Sequence, residues 1–168
     1  ERYDINYIDK NGKGQHPIIL HCSPSGAIER NIYALLEKAH IHKKPMLPLW
    51  LSPTQIRIIP VSQEKHLKFS KELSSYFNKN EIRADIDDTV ETVSKRIMNA
   101  EEEWTPYIIV IGDKELKSKD INVRIKGIEK QKLYTKEGLI KEIKNITKEM
   151  PYDTLPLQEL LSQRIKFK

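Results

Sequence analysis

Cysteine is nearly absent from these 168 residues, with Cys22 the only one. A single thiol excludes an internal disulfide framework and a multi-thiolate zinc cluster within the chain, and fits a reducing compartment, the cytoplasm by default. Glycine is sparse, at six residues, and none falls into GxGxxG or the phosphate-cradling GxxxxGK[ST]; HExxH and CxxC are missing too. Autonomous catalysis is therefore not expected. No run approaches the roughly 18 apolar residues of a membrane span, and the charged opening (Glu1, Arg2, Asp4) carries no signal-peptide core, so no membrane partner is expected. Charge of one sign is also lacking: 29 Lys and Arg stand against 24 Asp and Glu, a net of +5. That describes a charged surface more than a polycation, and only weakly indicates nucleic acid.

What is present has a clear order. Tyr3, Ile5 and Tyr7 alternate before a turn at Lys10-Asn11-Gly12-Lys13-Gly14, and an apolar run fills residues 17–22, which together predict a hairpin. Ile28, Ile32, Leu35, Leu36 and Ala39 recur at helical spacing to about His40. Prolines 45, 48 and 53 then interrupt a stretch without periodicity, which places a domain boundary between 1–44 and 45–168.

Beyond it, strands (residues 56–61, 82–86 and 107–111) alternate with amphipathic helices (Leu67, Ser70, Leu73, Phe77; Val93, Ile97, Ala100, Trp104). This predicts an α/β domain with a mixed, largely parallel sheet flanked by helices. The unbroken run Tyr107-Ile108-Ile109-Val110-Ile111 belongs at the sheet centre. Ile121, Val123 and Ile125 alternate with Asn122, Arg124 and Lys126, so that strand has one wet face and Arg124 points outward. A strand near residues 132–134, a helix with Leu139, Ile140, Ile143 and Ile146, and a short helix around residues 157–161 complete the pattern. Trp104, in phase with Ile97 and Ala100, is expected in the core, and Cys22 as a small packed residue. His21 and Cys22 are strand neighbours, project to opposite faces and cannot both bind one ion.

The segment His21-Cys22-Ser23-Pro24-Ser25-Gly26-Ala27-Ile28-Glu29-Arg30 changes the reading. With Trp50-Leu51-Ser52-Pro53-Thr54-Gln55 and Pro106-Tyr107-Ile108-Ile109-Val110-Ile111-Gly112-Asp113-Lys114-Glu115, it resembles the threonyl-tRNA synthetase family, essentially end to end. Gly-x-x-Glu-Arg looks like motif 3 of class II synthetases. The resemblance implies the hairpin-helix end of an antiparallel class II catalytic domain, followed by an anticodon-binding domain.

It further implies that Arg30 is the motif 3 arginine, binding ATP (with Mg2+) in catalysis, and that His21 is one of three zinc ligands, the other two lying upstream. Glu115 and Arg124 match positions that contact anticodon bases of the threonine tRNA. Where some bacterial members carry an arginine on the preceding helix this chain has Met98, so Lys95 and Arg96 are candidate substitutes on what reads as a solvated helix face. A planar, permanently charged guanidinium suits both arginine roles, stacking on bases and attracting phosphate.

The implied parent is a homodimer, paired through a catalytic core absent here, that consumes threonine and ATP. An opening without methionine reads as the interior of a longer polypeptide, and the ending from Leu155 to Phe167 resembles archaeal members. Two alternatives stay open: a non-catalytic tRNA-binding or accessory module on the same fold, and a related class II synthetase of other specificity.

Overall fold

A computed structural model describes residues 3–24, 26–128 and 130–165. Ser25 of the motif, and Lys166 and Phe167 of the ending, lie outside the described residues. The chain divides into two compact units, Glu1–Leu35 and Leu36–Lys168.

In the first unit, Asp9 organises the turn. Its Oδ1 accepts the main-chain N–H of Asn11 and Lys13 at 2.8 and 2.9 Å. Those backbone donors, Lys13 first, hold its carboxyl below the usual aspartate range. Gly12, at φ 74°, takes the left-handed position the turn needs. The ladder this supports is short, β1 (Tyr7–Ile8) antiparallel to β2 (Gly14–Gln15). The apolar run at residues 17–22 does not join it, contrary to expectation: Ile18 and Leu20 are 92% and 91% exposed, and Cys22 is exposed, not packed. A strand needs a neighbour to satisfy its backbone, and among the described residues none lies beside this run.

Helix α1 (Ile28–His40) carries its apolar stripe as predicted, but only Ala39 is buried.

The second unit is a mixed sheet in the order β4-β3-β5-β6-β7. It comprises β3 (Ile56–Pro60), β4 (Ala84–Ile86), β5 (Tyr107–Ile111), β6 (Asp120–Ile125) and β7 (Lys132–Thr135). The run at residues 107–111 is the middle strand. Parallel pairing, expected to dominate, covers only β4-β3 and β3-β5; β5-β6 and β6-β7 are antiparallel. The reason is connection length: β5 to β6 is bridged by the five-residue helix α4 (Asp113–Lys117), shorter than a parallel crossover requires.

Helices α2 (Gln63–Lys79), α3 (Val93–Glu102) and α5 (Lys136–Ile146) each start at a hydroxyl. Ser62, Thr92 and Thr135 accept the N–H of Lys65, Lys95 and Gly138 at 3.4, 3.3 and 3.0 Å, satisfying donors no helical carbonyl can reach.

Strand alternation sorts the sheet's two faces. Ile56, Ile58, Ala84, Ile86, Tyr107, Ile109, Ile121 and Val123 join Leu73 and Phe77 of α2 and Leu139 and Ile143 of α5 in the main core. The other face, with Ile59 and Ile108, packs on Ala100, Val93 and Ile97 of α3.

The chain's last described stretch returns to β4. Ile86 N–H donates to the Glu159 carbonyl at 2.8 Å, making a parallel bridge between Ile86 and Leu160. Ser162 binds both carboxylate oxygens of Asp88 at 2.8 and 2.6 Å. The expected helix around 157–161 is instead a 3-10 turn at Leu161–Gln163, since Leu160 is extended in its bridge to β4.

Candidate nucleic-acid interface

The α3 face of the sheet carries a row set by strand register. Asp85 pairs with Arg57 across β4-β3, Arg57 with Ile108 across β3-β5, and Ile108 with Arg124 across β5-β6. Two arginines therefore share one line of the sheet, separated by an isoleucine.

They live in different surroundings. Arg57 is 1% exposed; its Nε and Nη2 donate to Asp85 Oδ1 and Oδ2 at 3.0 and 2.9 Å, and its Nη1 to Glu103 Oε2 at 2.6 Å. Thr54 Oγ1 and Arg164 Nη2 also bind Asp85 Oδ2, each at 2.8 Å. Burial alone would lower Arg57's pKa, but Asp85 and then Glu103 overcome it and hold the guanidinium above the ordinary arginine range.

Arg124 is half-exposed. Its Nη1 meets Glu101 Oε1 at 3.3 Å, the two side chains being 40% and 46% exposed. One step past β6, Lys126 Nζ donates to the main-chain carbonyl of Glu101 at 2.5 Å. Around them opens a cleft of about 380 Å³ whose walls include Lys43, Lys44, Pro45, Glu101, Arg124 and Lys126. Four cations and one carboxylate make it a basic surface. Burial lowers the pKa of Lys126, Glu101 opposes that, and Lys44 adds to it, so cations here are crowded close enough to feel one another.

The remaining candidates fall elsewhere. Glu115 sits in the first turn of α4, partly buried, with Oε2 accepting the Gly112 N–H at 3.1 Å. It lies past the C-terminal end of β5, whereas Arg124 is paired with Ile108, so roughly 13 Å of strand separates their levels. Beside it, Asp113 Oδ1 accepts from His66 Nε2 at 3.1 Å, because His66 Nδ1 already accepts the Ser62 N–H at 2.9 Å. That bond from His66 keeps Asp113 below the usual aspartate range.

Lys95 is exposed on α3. Arg96 corrects the expectation of a solvated face: it is 4% exposed and its Nη1 donates to the Asp87 carbonyl at 2.9 Å. It stands one turn before Ala100, on the side of α3 that packs on the sheet. Trp104 is another correction. The helix ends at Glu102, Trp104 adopts φ 59°, and the residue is half-buried, lining a cleft with Arg57, Leu47 and Leu157 and not joining the core. Arg30 and His21 are exposed in the first unit.

The expectation from sequence missed the companions of Arg124. Lys126 was detectable, being two residues along the same face; Glu101, Lys43 and Lys44 come from distant segments and carried no such signal.

Comparison with known proteins places this arrangement. The profile of the anticodon binding domain family matches residues 55–146. Threonine–tRNA ligases of Methanosphaera stadtmanae and Pyrococcus furiosus are 48% and 51% identical over 99% and 100% of the chain. The chain spans 27% of the length of each. The RNA binding domain of threonyl-tRNA synthetase from Cryptosporidium parvum superposes with a TM-score of 0.55 at 25% identity, over 60% of this chain and 25% of that one.

Proposed function

The chain belongs to the anticodon-binding domain family, and from that premise we propose that it is the tRNA-recognising part of a threonine–tRNA ligase, gripping the unpaired anticodon loop on the α3 face of its sheet. The observation that carries this reading is Arg124 at the open end of the sheet row, half-exposed within a cleft that Lys43, Lys44 and Lys126 make basic. Lysines on the rim attract phosphate and position the strand; a planar guanidinium on a rigid strand reads a base edge or stacks on a base. Glu115, with Oε2 occupied by its cap, approaches the RNA at another level of the sheet, and exposed Lys95 adds charge on α3. Arg96 is withdrawn from direct contact by its burial and positions the Asp87 loop instead.

In the full ligase, threonine and ATP would give threonyl-adenylate, and the acyl group would pass to the terminal ribose of the tRNA. Residues 1–44 would be the motif 3 end of the catalytic domain and 45–168 the anticodon-binding domain, with the enzyme cytoplasmic and dimeric through its catalytic core. Arg30, exposed on the first turn of α1, would lie along the ATP polyphosphate, which arrives with Mg2+. His21 would give one imidazole to zinc. Among the described residues no three His, Cys, Asp or Glu side chains gather at a point, so this chain's residues do not by themselves fit that ion.

Affinity for transcripts of the threonine tRNA with altered anticodon bases tests the reading. Altered bases are expected to weaken binding, and equal affinity for every transcript ends it. Arg124→Ala should cost about 1–3 kcal/mol of binding free energy. Unchanged affinity removes Arg124 from the interface.

A further inference from the structure

Both cations of the β6 end are held by one residue. Glu101, in the last turn of α3, receives Arg124 on its carboxylate and Lys126 on its main-chain carbonyl. An anionic oxygen and a neutral carbonyl oxygen are what a single-stranded RNA also presents, as a phosphate and a base edge. The bond to Arg124 is built to be exchanged. Arg57, on the same row, is fixed by two bonds to a fully buried carboxylate. Arg124 has a single 3.3 Å contact between two side chains that both keep solvent, the kind of pair worth only about 1.4- to 5-fold in equilibrium. Nearby Lys44 crowds Lys126, so an incoming anion relieves like charge as it enters.

We propose that Glu101 is an internal stand-in for the RNA. It holds Arg124 in the free protein, its carboxylate is displaced when an RNA loop enters the cleft, and it thereby lowers affinity for every RNA that must displace it. This rests on the reading that the α3 face binds RNA. The main-chain carbonyl, which also accepts the Trp104 N–H at 3.1 Å, survives substitution, so changing the side chain reads the Arg124 arm alone.

The experiment uses the 168-residue chain and two RNAs, the anticodon stem-loop of the threonine tRNA and the same stem-loop with altered anticodon bases. Glu101→Gln should tighten binding about 2- to 5-fold. Glu102→Gln, the same charge change on the exposed next residue, should give less than half that gain, and in an Arg124→Ala background the Glu101→Gln gain should vanish. Equal gains from Glu101→Gln and Glu102→Gln, or a gain that persists without Arg124, overturns the stand-in. If the unaltered protein binds both stem-loops equally while the Glu101 and Glu102 variants still differ, anticodon reading falls and the stand-in holds. If neither RNA binds, both fall.

Discussion

The β4-β3 corner and the β6 end of the sheet use the same chemistry for opposite purposes. Each presents an arginine to a carboxylate from the end of α3: Glu103 for Arg57, Glu101 for Arg124. At the corner, desolvation and a second, buried carboxylate turn the pair into structure. At the β6 end, solvent leaves it replaceable. The lesson is that exposure and bond multiplicity, not residue type, decide whether an arginine of this fold is structural or free for a ligand.

The sharpest way to break the comparison is Arg57→Met. It takes two of the four bonds from Asp85, which is fully buried and keeps only Thr54 and Arg164, and chemical denaturation should show a loss of about 3 kcal/mol. Adding Asp85→Leu should return only part of that, since it removes the buried carboxylate but leaves Arg164, 16% exposed, without its 2.8 Å partner. A smaller loss, about 1–2 kcal/mol in the same measurement, is expected for Arg164→Ala, whose 2.8 Å bond supports Asp85 from a 16% exposed position. Smallest is Arg124→Ala, expected within about 0.5 kcal/mol of the unaltered protein. Were its stability cost to match that of Arg57→Met, the distinction between the two arginines would collapse.

Much of this was legible in the sequence, for identifiable reasons. The uninterrupted run at residues 107–111 located the central strand, and period-two alternation at residues 121–126 turned Arg124 toward solvent, because both signals depend on local burial alone. Arg57 sits in an equally apolar strand, but its meaning depends on Asp85, 28 residues on, and on Glu103; no local pattern pairs them. Arg96 was misplaced although Ala100, one turn later, was correctly read as inward: charge suggested a surface, while helical phase pointed to the sheet. Trp104 fitted the same phase, but the helix stops at Glu102 and the phase no longer applies. The run at residues 17–22 shows the opposite limit. Its apolarity is real, yet a strand is a relation between two segments, and a sequence pattern supplies only one.

The return of residues 159–164 to β4 has a consequence for handling the protein. β4 would otherwise be the outermost strand, with a row of amide and carbonyl groups facing water, and such a border recruits strands from neighbouring molecules. The Ile86–Leu160 bridge, pinned by Ser162 and Arg164, serves as a hem along that border. Trimming the chain just before Glu159 would be expected to bare that border and make the molecule sticky, and also to weaken the interior beneath it, since Leu160 packs on the core and Ser162 and Arg164 hold Asp88 and Asp85.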